Sequence, residues 1–105
     1  MKIYEVELSK DSRKELKKID KYQQKVINQW ICRYLRDCQN PRSYGKALSG
    51  SLQKYWVYRI GHYRVICEID DKHQIIQIIT IGHRSDIYVK MVREEENLYE
   101  IEVEY

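Results

Sequence analysis

Between residues 55 and 81 the chain has few ways to fold. Two runs rich in apolar and aromatic residues, 55–60 and 63–69, are separated only by Gly61-His62. A two-residue link that opens with glycine joins antiparallel neighbours as a tight hairpin. A polar turn at residues 70–73 leads to a third run, 74–81, which Gly82 closes. Three strands in immediate succession form an antiparallel meander. The third holds five isoleucines, at 75, 76, 78, 79 and 81, distributed over both faces. That pattern predicts a central strand covered on two sides.

The preceding residues supply a strand and two helices. In residues 2–8, Ile3, Glu5 and Glu7 alternate with Tyr4, Val6 and Leu8, the pattern of a half-buried strand. Ser9 is placed to cap a helix over residues 10–19, and Asp20 to cap the next. The second helix has an apolar stripe of Val26, Ile27, Trp30, Ile31, Tyr34, Leu35 and Cys38, the period of an amphipathic helix laid on a core. Asn40-Pro41 is expected to end it. Residues 39–54 read as a loop. After the meander, Ser85 is expected to open a short helix to about Arg93, and Tyr99, Ile101, Val103 and Tyr105 alternate with glutamates as a tail strand. The fold class is therefore α+β, an N-terminal strand and an αα-hairpin packed on an antiparallel sheet, with the opposite sheet face free for binding. Residues 1–93 read as one domain and 94–105 as an acidic tail.

Charge separates these two parts. All 19 Lys and Arg precede residue 94, against ten acids, so the body carries +9 while the six glutamates of the tail carry −6. A body of that charge suits a polyanion. It also suits plain solubility. Lys10, Lys14, Lys17 and Lys21 follow one another at helical spacing. They read as a phosphate-contacting strip or as a solvated face, and lysines alone favour the second. With ten Tyr, two Trp and no Phe, every phenyl or indole ring has a polar handle, and some can stack on bases.

No stretch approaches the roughly 18 apolar residues of a membrane span, and the N-terminus lacks the unbroken apolar core of a signal peptide. These features predict a cytoplasmic protein with no membrane partner. Cys32, Cys38 and Cys67 are odd in number and form no CxxC pair, which argues against a disulfide framework, and the spacing of Cys32 and Cys38 fits no usual zinc pattern. All three read as buried small apolar residues. No metal and no cofactor is expected.

The chemistry gathers in two segments, residues 56–64 and 81–88. A meander sets the ends of neighbouring strands side by side, so Arg59, Arg64 and Arg84 can converge, with His83 and Tyr88 beside them. Arginine grips phosphate through parallel donors, and histidine exchanges protons near neutrality. Without an acidic metal cluster, the accessible reaction is attack by an RNA 2′-hydroxyl on its own phosphate. Each residue has a plainer reading: Arg59 or Arg64 as a cross-strand partner of an acid such as Glu68, His62 as a turn residue, His83 as the start of a helix, Tyr88 as core.

The motifs Leu48-Ser49-Gly50, Tyr55-Trp56, Arg59-Ile60-Gly61, Tyr63-Arg64-Val65-Ile66 and Gly82-His83-Arg84 through Tyr88 resemble the RelE/ParE family of bacterial type II toxins. The resemblance runs to about Arg93. It implies two helices on an antiparallel sheet and a cognate antitoxin that wraps the toxin. The RelE-like branch cuts mRNA in the ribosomal A site without metal, and the ParE-like branch poisons DNA gyrase. On the RelE-like reading Arg59, Arg64 and Arg84 hold the phosphate, His83 moves a proton and Tyr88 positions the nucleotide. Lys10, Lys14, Lys17, Lys21 and Lys54 then contact RNA. Val57 is a departure, because some members carry a catalytic lysine there. That departure and the acidic tail leave a degenerate toxin, which only binds antitoxin, as a third reading.

Overall fold

The computed structural model describes residues 3–83 and Ile87. In chain order it runs β1 (Glu5–Leu8), α1 (Lys10–Lys18), α2 (Lys21–Tyr34), β2 (Lys46–Ala47), β3 (Trp56–Ile60), β4 (Tyr63–Asp70) and β5 (Ile75–His83). Single 3-10 turns occupy Pro41–Ser43 and Gly50–Leu52. The five strands form one sheet in the order β1-β5-β4-β3-β2. Among the described residues no helix is long and apolar enough to cross a membrane. The acidic tail and the helix expected after Ser85 lie outside the described residues, apart from Ile87, which is helical.

The meander forms as its turns demand, with Ile60 opposite Tyr63 across Gly61-His62. β1 pairs parallel to β5, Glu5 opposite Ile75, so the sheet is mixed rather than wholly antiparallel. The connection between them, through the αα-hairpin and then β2 to β4, supplies the long crossover that a parallel pair requires. Where β1 stops at Leu8, α1 takes over the edge of β5. Ser9 Oγ donates to the Ile79 carbonyl at 2.9 Å and Ser12 Oγ to the Ile78 carbonyl at 3.1 Å. Glu15 accepts from Thr80 Oγ1 at 2.9 Å and from the Ile81 N–H at 3.4 Å. Helix side chains thus satisfy backbone that a strand would otherwise pair.

The predicted caps are present: Ser9 accepts from the Ser12 N–H and Asp20 from the Gln23 N–H, each at 3.1 Å. The end of α2 differs from expectation. The helix stops at Tyr34, well before Asn40-Pro41. Asp37 adopts a left-handed φ of 60°, and the backbone beyond the helix pairs with Tyr4 instead, Asp37 N–H to Tyr4 carbonyl at 3.0 Å and Tyr4 N–H to Cys38 carbonyl at 2.9 Å. Leu35 nevertheless reaches the core, and Cys38 packs against it. α1 ends at Lys18, within a residue of its expected end. Lys21 begins α2 and does not continue the lysine row of α1.

The main core joins Ile27 and Ile31 of α2, and Leu35 just past its end, to Tyr58, Ile60, Val65, Cys67, Ile76, Ile78 and Ile81 of the sheet. Burial of each such aliphatic side chain contributes about 1.5–3 kcal/mol. The isoleucines of β5 do not require cover on two sides. The register shifts between Ile66 and Cys67, whose partners are Thr80 and Ile78. The bulge at Ile79 resets the alternation, so Ile76, Ile78 and Ile81 all join the helix-side core. β5 also continues through Gly82 to His83, past its expected end.

The other sheet face is not bare, as the sequence had suggested. Val57 and Ile66 form a second apolar cluster there with Leu48, Leu52 and Ile87, and Tyr55 packs against it. Not all the cysteines are buried: Cys67 is, Cys38 is half-buried and Cys32 is exposed. Cys32 lies just outside the stripe that α2 turns to the core.

Candidate functional site

The two-residue turn places Arg59 of β3 directly opposite Arg64 of β4. Residues in that relation share a face, and like charges there destabilise a sheet. Folding alone does not favour such a pair; an anion bound between the two cations would offset their repulsion. The register also excludes the alternative pairing of Arg59 with Glu68, since Arg59 stands opposite Arg64, four residues away along β4. Arg59 is exposed. Arg64 is only 5% exposed. Its Nη1 donates to the carbonyls of Gly61 at 3.1 Å and Tyr63 at 3.0 Å, hydrogen bonds that help offset the cost of burying a guanidinium.

His83 ends β5 opposite Tyr63, and Gly82 lies opposite Arg64. Arg59, Arg64 and Gly82 therefore share the face of the second apolar cluster, while His83 shares the helix-side face with Tyr63. The three predicted residues that are described thus meet at one end of three adjoining strands, but from two faces. The Tyr63 and His83 rings meet edge to face, 5.9 Å apart. A Cβ added at Gly82 would make ordinary van der Waals contact with Ile87, 3.4 Å from its Cδ1. Arg84 and Tyr88 lie outside the described residues.

Val57 is fully buried between β2, β4 and the 48–52 loop. A depression of about 580 Å³, lined by residues 46–52, opens beside that cluster. At the opposite end of the same sheet face Glu7, Gln77 and Glu68 stand in one row and Glu5, Ile75 and Asp70 in the next. Part of this acidic end is a hollow of about 390 Å³ lined in part by Glu7, Glu68, Asp70 and Gln77. The face is therefore bipolar, with arginines at one end and carboxylates at the other, and a phosphate chain is drawn to the first and repelled by the second.

The lysines at 10, 14, 17, 21 and 54 are all exposed. Lys54 Nζ lies 5.0 Å from the centre of the Tyr55 ring. His62, which the sequence offered only as a turn residue, stacks on His83 with ring centroids 6.1 Å apart and planes 19° from parallel. The signal for this contact was available. Once Tyr63 pairs with the last residue of β5, the turn residue beside it must sit next to His83.

Residues 6–88 match the family model for the ParE toxin of the type II toxin–antitoxin system parDE. The chain belongs to the RelE/ParE family of type II toxins. Toxin RelG of Mycobacterium tuberculosis is 38% identical to it over 50 residues, 48% of this chain and 58% of RelG. Toxin RelE of the same organism is 43% identical over 49 residues, 47% of this chain and 50% of RelE. The chain spans about half the length of these curated relatives. A chain in the crystal structure of the Mycobacterium tuberculosis toxin–antitoxin complex RelBE2 superposes with a TM-score of 0.69 at 27% identity, over 80% of this chain and 94% of that one. In this RelE/ParE toxin the arginine pair, the stacked histidines and the buried Val57 all fall inside the matched region.

Proposed function

We propose that this toxin cuts mRNA on the ribosome, by attack of the RNA 2′-hydroxyl on the adjacent phosphate. The observation that carries the reading is the cross-strand pair Arg59 and Arg64 beside His83 at one sheet end. Guanidinium groups meet the phosphate and the charge that grows on it in the transition state, where loss of one donor costs about 3–4 kcal/mol. Arg84 adds a third cation, His83 transfers a proton, and Tyr88 positions the nucleotide. The products are a 2′,3′-cyclic or 3′ phosphate and a 5′-hydroxyl. Lys10, Lys14, Lys17, Lys21 and Lys54 contact ribosomal RNA, so binding weakens steeply with salt. The partner that restrains the activity is a cognate antitoxin, in the cytoplasm.

Inhibition of DNA gyrase is the second reading. It is favoured by Val57, since the position that carries a catalytic lysine in some relatives is here sealed in an apolar cluster. Inducing the wild type and the Arg84→Ala/Tyr88→Ala variant in cells without antitoxin, with mapping of mRNA ends, separates the two. Cuts within translated codons that vanish in the variant support the nuclease. Growth arrest with intact mRNA and impaired supercoiling supports gyrase inhibition, and unimpeded growth leaves only an antitoxin-binding role.

A further inference from the structure

Two imidazoles stand at the corner where β3, β4 and β5 end. The His62 and His83 rings are 6.1 Å apart and 19° from parallel, and both residues are exposed. Tyr63 braces His83 edge-on at 5.9 Å. The turn that carries His62 is also held: the buried Arg64 binds the carbonyls of Gly61 and Tyr63, the residues on either side of it. A turn residue with no task needs neither a ring partner nor a guanidinium clasp on its flanks.

We propose that His62 is a second proton-transfer group of the site and works as a pair with His83; this rests on the nuclease reading above. One imidazole takes the proton from the 2′-hydroxyl as that oxygen bonds to phosphorus. The other gives a proton to the 5′-oxygen as the P–O5′ bond breaks. The RNA leaves as a 2′,3′-cyclic phosphate and a 5′-hydroxyl, and the pair has exchanged protonation states, so protons and electrons balance with no further reactant. Such a base and acid must each reach within about 2.6–3.2 Å of an oxygen on opposite sides of the phosphorus. Two near-parallel rings at this spacing can do so when the phosphate approaches their nitrogen-bearing edges.

The arrangement also answers the departure at Val57. With that position buried and apolar, β3 offers no proton acceptor there, and the second imidazole supplies one from the turn. Charged and titratable groups on the neighbouring strand ends include Arg59 on β3 and Tyr63 and Arg64 on β4. Arg59 is exposed and free to meet the phosphate. Arg64 acts here as a positioning residue through the His62 turn.

The test is single-turnover cleavage of a short mRNA programmed on bacterial 70S ribosomes with a vacant A site, from pH 5.5 to 8.5, using the 105-residue chain. Wild type is compared with His62→Gln and with His62→Gly in the presence and absence of added imidazole. The expected result is a bell-shaped wild-type profile, a loss of about 10²–10⁴-fold in His62→Gln with one limb of the bell gone, and recovery of His62→Gly by imidazole. If wild type cuts and His62→Gln keeps its rate and both limbs, the pair is refuted while the nuclease stands. A slow His62→Gln that keeps both limbs, with His62→Gly not rescued, assigns His62 a structural role and refutes the pair as well. A wild type that cuts nothing removes the nuclease and the pair together.

Discussion

Arg42 and Asp71 meet fork to fork, Nη1 2.9 Å from Oδ1 and Nη2 3.1 Å from Oδ2. Asp71 Oδ1 also accepts the Tyr4 hydroxyl at 2.7 Å, and the Arg42 guanidinium lies 5.9 Å from the centre of the Trp56 ring. One carboxylate thus ties the residue before β1 and the 3-10 turn after α2 to the β4–β5 turn. The hydrogen bond to Asp71 raises the pKa of both Tyr4 and Arg42. The two side chains of the ion pair are 42% and 52% exposed, so solvent screens much of their attraction. A double-mutant cycle of Arg42→Ala and Asp71→Ala by urea unfolding should give a coupling of about 0.5–1 kcal/mol that shrinks with added salt. A coupling of zero at low salt would show that the fork is ornamental.

Asp70 accepts the His73 N–H at 3.0 Å and meets His73 Nδ1 at 2.7 Å. These contacts hold its carboxyl below the ordinary 3.8. A depressed carboxyl stabilises the fold above its unfolded pKa, and the contribution disappears as pH falls through the folded value. Asp70→Asn should therefore melt below the wild type at pH 6, with the gap closing as pH falls through the lowered folded pKa. An equal gap at pH 6 and pH 2 would mean that ionisation of Asp70 is not the cause.

Gly45 has a φ of +78°, and a Cβ there would lie 2.3 Å from the Val57 carbonyl oxygen and 2.7 Å from Trp56 Nε1. Gly45→Ala combines backbone strain with overlap against β3, and should cost at least about 2 kcal/mol in urea unfolding. Gly50→Ala is a useful comparison. It also has a positive φ but no atom within 4 Å of the added Cβ, so it should lose less.

Val57→Lys places an ammonium in the cluster of Leu48, Leu52, Ile66 and Ile87. The change should cost about 2–4 kcal/mol here and not raise activity. Melting temperature and mRNA cleavage measured on the same preparation decide the matter. Higher cleavage at unchanged stability would show that the cluster opens easily enough to admit a charged group.

The meander and the caps at Ser9 and Asp20 were legible in the sequence because each depends on residues close along the chain; the facing of Arg59 on Arg64 was not read from it, since Glu68 stood as an alternative partner. Features set by distant partners were not legible either. The end of α2 depends on Tyr4, which takes up the backbone of residues 37 and 38. The facing of the β5 isoleucines depends on a register shift against β4, which a strict alternation cannot reveal. At the site, the motif marked Arg64 as a phosphate ligand. Its local sequence gave no sign that the guanidinium folds back onto the carbonyls around His62, because that depends on how the turn packs.

The pairing of Glu5 with Ile75 has a consequence for biosynthesis. β1 is translated long before its strand partner among the described residues, and a parallel edge strand gains little until that partner is in place. The meander closes through local turns, so a sheet of β3, β4 and β5 can assemble first and present the bare edge of β5. The strand made first is then the last to dock. Arrest or truncation before residue 75 leaves β1 and its helices without the edge that orders them.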